Sequence, residues 1–268
     1  MTKLEKIKAI QTALGVAADG EFNDQTLDAV FSKLVPIQKA APAAKPPAPA
    51  PAKPAPALPE PVVALGKIGP DHWLEGAVRE VFEGGKPMPV RRCVVMHFTS
   101  GATALSSVNF WRSPEAKGAN AHLVIARSGK VIQCRPFDRT CGHAGVSRWR
   151  DPKTGTLYTG CNDFSIGIEM ANAGNEEKLA ARMTKLPIVK ARHRKGGPEQ
   201  KWEAYTPEQL ASVFKVVSLL MERYKLDDIT GHDCIAPERK DDPGPAFPME
   251  ELRKANGLKG LPAMHQKV

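Results

Sequence analysis

The chain has 268 residues, 42% of them hydrophobic and 25% charged, with 24 prolines and a formal net charge of +9. That length exceeds what one compact core needs, so two folded units joined by a proline-rich connector are expected, in an ordinary soluble protein rather than a fibrous one. The positive charge suits a polyanionic partner, but no zinc-finger spacing, RNA-recognition aromatic signature or basic heptad helix is present, which speaks against nucleic acid.

At the N-terminus, Leu4, Ile7, Ile10 and Leu14 recur at helical spacing until Gly15 and the Asp19-Gly20 turn break the run. Met1 to Leu14 is amphipathic and lacks the continuous apolar stretch of a secretory signal, and no later run approaches the ~18 apolar residues of a membrane span. A protein made in the cytoplasm without a signal peptide is therefore expected. Asn23 can cap a second helix over 24–34, with Leu27, Val30, Phe31 and Leu34 on one face. Residues 1–35 are thus read as a small all-α module. From Pro36 to Pro61 the chain is almost all Pro, Ala and Lys, with ten prolines, and it is read as an extended linker.

Residues 62–268 read as one α/β domain. Arg92 to Thr99 holds the apolar run Val94-Val95-Met96 and predicts a buried strand ending in His97. Leu105 to Trp111 predicts a helix. His122 to Ala126 and Lys130 to Gln133 flank Ser128-Gly129 as a hairpin. Ser165 to Met170 predicts another buried strand, carrying Glu169 near its end. Thr206-Pro207-Glu208-Gln209 opens a helix in which Thr206 caps and Gln209 completes a capping box. Leu210, Val213, Phe214, Val217, Leu220 and Tyr224 then form its apolar face. Ile229 to Gly231 predicts a last strand delivering His232, and the segment from His232 to Pro248 is too polar and proline-rich for regular structure. The five cysteines, Cys93, Cys134, Cys141, Cys161 and Cys234, are odd in number and lack C-x2-C spacing, so reduced and mostly buried thiols are expected.

Three groups stand where a buried strand gives way to a loop: His97, Glu169 and the segment from His232. Two histidines and one carboxylate, with a fourth position left for water, make a common catalytic zinc arrangement, which His97, His232 and Asp242 could supply. Such a metal polarises a carbonyl and acidifies water. Glu169 could then move the proton, and Lys240 could offset developing negative charge. On the residues alone, His97 could equally be an ordinary strand-end histidine and Lys240-Asp241-Asp242 an exposed turn. His122 and His143 are rival ligands, and Cys234 beside His232 allows a cysteine hydrolase.

The segments Val94-Val95-Met96-His97, Cys141-Gly142-His143-Ala144-Gly145-Val146-Ser147, Asn162-Asp163-Phe164-Ser165-Ile166-Gly167-Ile168-Glu169 and Gly231-His232 through Pro248 resemble, in order, the motifs of the type 2 N-acetylmuramoyl-L-alanine amidases. The resemblance implies a central mixed β-sheet flanked by helices and a Zn2+ ion on His97, His232 and Asp242. It also implies Glu169 as catalytic acid/base, Lys240 as transition-state stabiliser and His143 as a substrate contact, with a supporting structural role as its alternative. The implied substrate is bacterial peptidoglycan, cut between N-acetylmuramic acid and L-alanine. Ile10-Gln11, Leu14-Gly15-Val16, Asp19-Gly20-Glu21-Phe22 and Thr26 with Ala29-Val30 resemble the helical peptidoglycan-binding repeat.

The layout, the charge and the missing signal peptide suggest an endolysin reaching the wall after holin-type release. The alternatives are a cytoplasmic muropeptide-recycling amidase and a noncatalytic peptidoglycan-recognition protein. The stretch 175–202 departs from the family pattern and reads as an insertion. Between Lys178 and Lys201 it carries eight Lys or Arg against one acidic residue, Glu199. It is expected to be a solvated loop or a contact for anionic envelope polymers.

Overall fold

The structure is a computed structural model and describes residues 2–14, 64–175 and 187–265. These fall into two units, one holding the N-terminal helix and the other holding the rest. The expected second helix, the 36–61 linker and the 1–35 module as a whole lie outside the described residues, apart from helix α1 (Lys3–Leu14). A reciprocal cap opens α1. The Glu5 amide donates to Thr2 Oγ1 at 3.2 Å, and the Thr2 amide donates to Glu5 Oε2 at 2.7 Å.

In the larger unit, strands β1 (Val78–Arg79), β2 (Cys93–Phe98), β3 (Leu123–Ile125), β4 (Val131–Gln133), β7 (Ser165–Met170) and β10 (Asp228–Gly231) form one six-stranded sheet. Its order is β1-β4-β3-β7-β2-β10. Every pair is parallel except the β3–β4 hairpin, so the sheet is mixed. β5 (Arg148–Arg150) with β6 (Leu157–Thr159), and β8 (Ile188–Arg192) with β9 (Glu199–Glu203), make two separate antiparallel pairs. The helices of this unit are α2 (Ala104–Trp111), α3 (Pro207–Tyr224), α4 (His232–Ile235) and α5 (Met249–Ala255). This is the α/β architecture expected from the sequence.

Alternation along the strands divides their side chains between two cores. Val94 and Met96 of β2 join Ile166, Ile168 and Met170 of β7 under Val213, Val216, Val217 and Leu220 of α3. Cys93 and Val95 face the other way, toward Trp149, Cys161, Phe164 and Ile235. His97 and Glu169 follow the parity of this second face, and they lie directly opposite one another in the β2–β7 register. The parallel strands β2, β7 and β10 end on the same side of the sheet, where open α/β sheets offer a crevice.

Three expectations need correction. Thr206 does cap α3, its Oγ1 accepting from the Gln209 amide at 3.1 Å, but the Gln209 side chain does not close a capping box. Its Nε2 instead donates to the carbonyls of Ile125 (2.9 Å) and Ala171 (3.1 Å), because the buried strand ends offer stronger use for it. The segment after β10 begins with the one-turn helix α4 rather than irregular chain. The described part of the insertion is the β8–β9 hairpin, not a loop, and it turns at Gly196 and Gly197, both at positive φ.

Candidate metal centre

β2 carries His97 to the rim of the sheet, and β10 ends one residue before His232. Asp242 arrives on the long segment after α4, where its carbonyl accepts from the Asp233 amide at 2.8 Å. The three side chains are buried and converge: His97 Nδ1 lies 2.8 Å from His232 Nδ1 and 2.9 Å from Asp242 Oδ2, and His232 Nδ1 lies 3.0 Å from the same oxygen. Among the described residues this is the one group of three or more His, Cys, Asp or Glu placed to share a metal ion.

The surroundings fix the tautomers. His232 Nε2 faces the Ala144 carbonyl at 3.1 Å and Arg239 Nη2 at 3.4 Å; the nearer partner can only accept, so the proton is assigned to Nε2 and Nδ1 keeps its lone pair. His143 Nε2 faces the Ser165 carbonyl (3.4 Å) and Ser165 Oγ (3.3 Å), whose own proton goes to the Cys161 carbonyl. His143 Nδ1 must then accept from His97 Nε2–H at 2.9 Å, which leaves His97 Nδ1 bare as well. Two bare imidazole nitrogens and a carboxylate oxygen thus meet with no proton among them. Burial, and then His232, lower the His97 pKa to about 4. The donor set fits a zinc ion, which takes imidazole nitrogen and carboxylate oxygen together.

Glu169 stands beside this group, with Oε2 shut from solvent and without a hydrogen-bond partner among the described residues. Burial, then the negative charge of Asp242, push its pKa up to about 8, against the pull of Lys240. A cavity of about 330 Å³ opens here, lined by Glu169, His143, His232, Lys240 and Asp242, with Phe110 and Trp111 from α2. A second hollow of about 380 Å³ continues it past Ser100, Ser106 and Ser107, and Glu169 borders both. Five sequence-nominated residues, His143, Glu169, His232, Lys240 and Asp242, therefore line one cavity, and His97 lies buried behind it against His143, His232 and Asp242.

His143 reaches that cavity, but its ring is chiefly engaged behind His97. A methyl at Gly167 would lie 2.4 Å from its Cγ, so only glycine leaves room for it. The amides of His143 (3.1 Å) and Ala144 (2.7 Å) donate to Asn162 Oδ1, which holds this turn. The rival His122 is a satisfied core residue: its Nδ1 accepts from the Gly167 amide at 3.1 Å and its Nε2 donates to the Arg139 carbonyl at 2.7 Å. All five cysteines are free and buried. Burial, and then Asp233, push the Cys234 thiol up to about 12, and its Sγ points at Asp233 rather than at a histidine, so Cys234 is not paired with the base that a cysteine nucleophile uses.

Sequence reasoning missed two contributors. Arg239 donates to the carbonyls of Ala144 and Val146 (2.7 Å) and so closes the chain around His232. The β8–β9 tip donates to the Asp242 loop through His193 and Lys195. The Gly196-Gly197-Pro198 turn between Ile188-Val189 and Trp202 was the available hairpin signal. Arg194, one of the basic residues expected to meet anionic polymers, also turns inward, donating to the Pro262 carbonyl at 2.8 Å. Among the described residues no helix is long and apolar enough to cross a membrane.

The chain is 36% identical over 130 residues to the 1,6-anhydro-N-acetylmuramyl-L-alanine amidase AmpD of Enterobacter cloacae, covering 48% of this chain and 52% of that protein. It is 30% identical over 125 residues to the N-acetylmuramoyl-L-alanine amidase AmiD of Escherichia coli (strain K12), covering 46% and 37%. The crystal structure of a selenomethionine AmpD derivative aligns with a TM-score of 0.47 at 28% identity, over 69% of this chain and 97% of that one. The chain spans about half the length of the curated AmpD relatives it matches. Residues 86–245, more than half of the chain, match the family profile described as N-acetylmuramoyl-L-alanine amidase, and the chain belongs to that family.

Proposed function

We propose that the chain is a zinc-dependent amidase that hydrolyses the bond between the lactyl group of N-acetylmuramic acid and L-alanine, acting on soluble muropeptides. The observation that carries this reading is the convergence of two bare Nδ1 atoms and Asp242 Oδ2 beside the isolated, protonatable Glu169. Zinc held by His97, His232 and Asp242 would supply Lewis-acid polarisation of the scissile carbonyl and would acidify water.

The remaining work falls to the chain's own side chains. Glu169, with a pKa near neutrality, suits both halves of a proton transfer, from the attacking water and then to the leaving nitrogen. The Lys240 ammonium at the cavity wall would offset negative charge that develops on the carbonyl oxygen. His143 positions His97 by accepting the His97 Nε2–H at its own Nδ1, and it borders the cavity where substrate would lie. A purely noncatalytic recognition role gives no reason for a carboxyl isolated as Glu169 is.

Relatives described as 1,6-anhydro-N-acetylmuramyl-L-alanine amidases favour a muropeptide-recycling role over the endolysin expected from sequence layout. The holin-type release that went with the endolysin reading gains no support from them. The endolysin reading keeps one specific support, the resemblance of residues 10–30 to a wall-binding repeat ahead of the 36–61 spacer. Such a tether would raise the local concentration of catalyst on polymer.

Mass spectrometry of products separates these readings. Free stem peptides beginning with L-alanine, released faster from soluble anhydro-muropeptides than from intact sacculi, are expected. Clearance of sacculi with poor turnover of the soluble substrate would restore the endolysin reading. Cleavage of glycosidic bonds or crosslinks would overturn both.

A further inference from the structure

We propose that the tip of the β8–β9 hairpin, through Lys195 and His193, is a positioning device that holds the Lys240–Asp242 loop in register with the two histidines. The proposal rests on the metal-site reading above and assigns a task to the segment that departs from the family pattern.

Between Ile235, the end of α4, and Met249, the start of α5, the chain has no regular structure, so most of its carbonyls need partners from elsewhere. The hairpin supplies them at the positions nearest the chemistry. Lys195 Nζ donates to the carbonyls of Pro237 (2.9 Å) and Lys240 (2.6 Å) and pairs with Asp241 Oδ1 (2.5 Å). An ammonium has three protons, and all three are thereby used. His193 Nε2 donates to the Asp241 carbonyl at 3.1 Å, and its Nδ1 accepts from the Lys195 amide at 3.1 Å, which fixes both the tautomer and the path of the tip. The next two carbonyls are held from other directions, Asp242 by the Asp233 amide and Pro243 by Tyr205 Oη at 2.7 Å. The hairpin thus supplies the partners at 240 and 241, the two residues immediately before the proposed ligand.

The hairpin is built to transmit position rather than to yield. At its base Glu203, buried on β9, forms a two-pronged pair with Arg127 and accepts the Ala173 amide, tying the strand to the sheet. Midway, Trp202 donates to the Ala191 carbonyl at 3.1 Å, across the two strands, and lies against Gly244. A Cβ at Gly244 would sit 3.0 Å from the Trp202 ring. Base, middle and tip are therefore each fixed, and the tip bears on the loop carrying Lys240 and Asp242. Lys195 touches no reacting atom, so its effect should fall on metal affinity and turnover rather than on substrate capture.

The test uses the full chain with Lys195→Met and Lys195→Arg. Zinc affinity is read by competition with a fluorescent chelator, kcat and KM on a soluble anhydro-muropeptide, and melting temperature without metal. K195M is expected to fold and to bind zinc about 10- to 100-fold more weakly, the usual cost of losing a residue that orients a ligand. Its kcat should fall while KM stays close to wild type, and K195R, which keeps the charge, should recover part of both losses. If K195M fails to fold, His193→Ala, which leaves the Lys195 side chain in place but removes the bond to the Asp241 carbonyl, the acceptor of the Lys195 amide and the contacts with Asp233 and Trp202, carries the same expectation. Unchanged zinc affinity and kcat in a folded variant would overturn the proposal while leaving the metal site standing. A wild-type chain that binds no zinc would overturn both.

Discussion

Four buried histidines of one domain show how much a single residue's role depends on what its second nitrogen meets. His97 and His232 each spend Nε2 on a protein partner and turn a bare Nδ1 toward Asp242, whereas His122 has both nitrogens engaged with backbone and His143 has neither nitrogen left for a metal. Sequence placed His97 and His232 at strand ends, which sufficed to nominate them. It could not separate them from His122 or His143, because hydrogen-bond partners drawn from residues 139, 144, 165 and 167 are set by tertiary packing. His122 also offers a pH test. Burial, aided by the charges of Arg135 and Arg91 and opposed by the bond to Arg139, lowers its pKa to about 4 in the folded state, against roughly 6.5 unfolded. Its contribution to stability is then fully present above about pH 6.5 and is lost as pH falls toward 4, where the unfolded chain binds the extra proton. His97 and His143, lowered in the same sense, add to this limb. His122→Gln should make the slope of unfolding free energy against pH shallower by roughly one proton over that window. An unchanged slope in urea titrations at successive pH values would refute this.

At the scale of elements, strands and the long helix were the legible part. Val94-Val95-Met96 is an unbroken apolar run, and Ser165 to Met170 is interrupted by polar side chains only at Ser165 and Glu169, because α3 buries one face of β2 and β7 and a second core the other; the 3.6-residue apolar period of α3 matches the face it lays on the sheet. The β8–β9 hairpin was not legible, since its strands are largely polar and exposed and lie outside the main sheet, and a run of basic residues there reads as solvated loop. Gln209 was misread for a related reason. Local rules assign it to a cap, while its amide crosses from α3 to two strand-end carbonyls. Gln209→Met should keep the volume and the helix but leave the Ala171 carbonyl without this donor, costing about 1–3 kcal/mol of stability. A denaturant midpoint equal to wild type would show that the bond contributes nothing.

Across the whole molecule, the site is assembled from stretches separated by as many as 145 residues: His97 and Asp242 touch although one ends a strand and the other lies deep in an irregular loop. Parallel β2, β7 and β10 make this possible by ending together, so that His97, Glu169 and His232 share one rim, while the tip of the β8–β9 hairpin bonds to the carbonyls of the two residues before Asp242. The order of the motifs was readable in the sequence, but the hairpin's part in the closure was not.

The claim on which the account depends most is that His97, His232 and Asp242 hold one zinc ion between them. Its most direct test is the metal content of purified chain by elemental mass spectrometry, for wild type and for His97→Ala, His232→Ala and Asp242→Ala. The account predicts one tightly held zinc per chain in wild type, loss of that zinc in each folded variant, and parallel loss of amidase activity. Full zinc occupancy in any of the three variants, or an active wild-type enzyme free of metal, would contradict it.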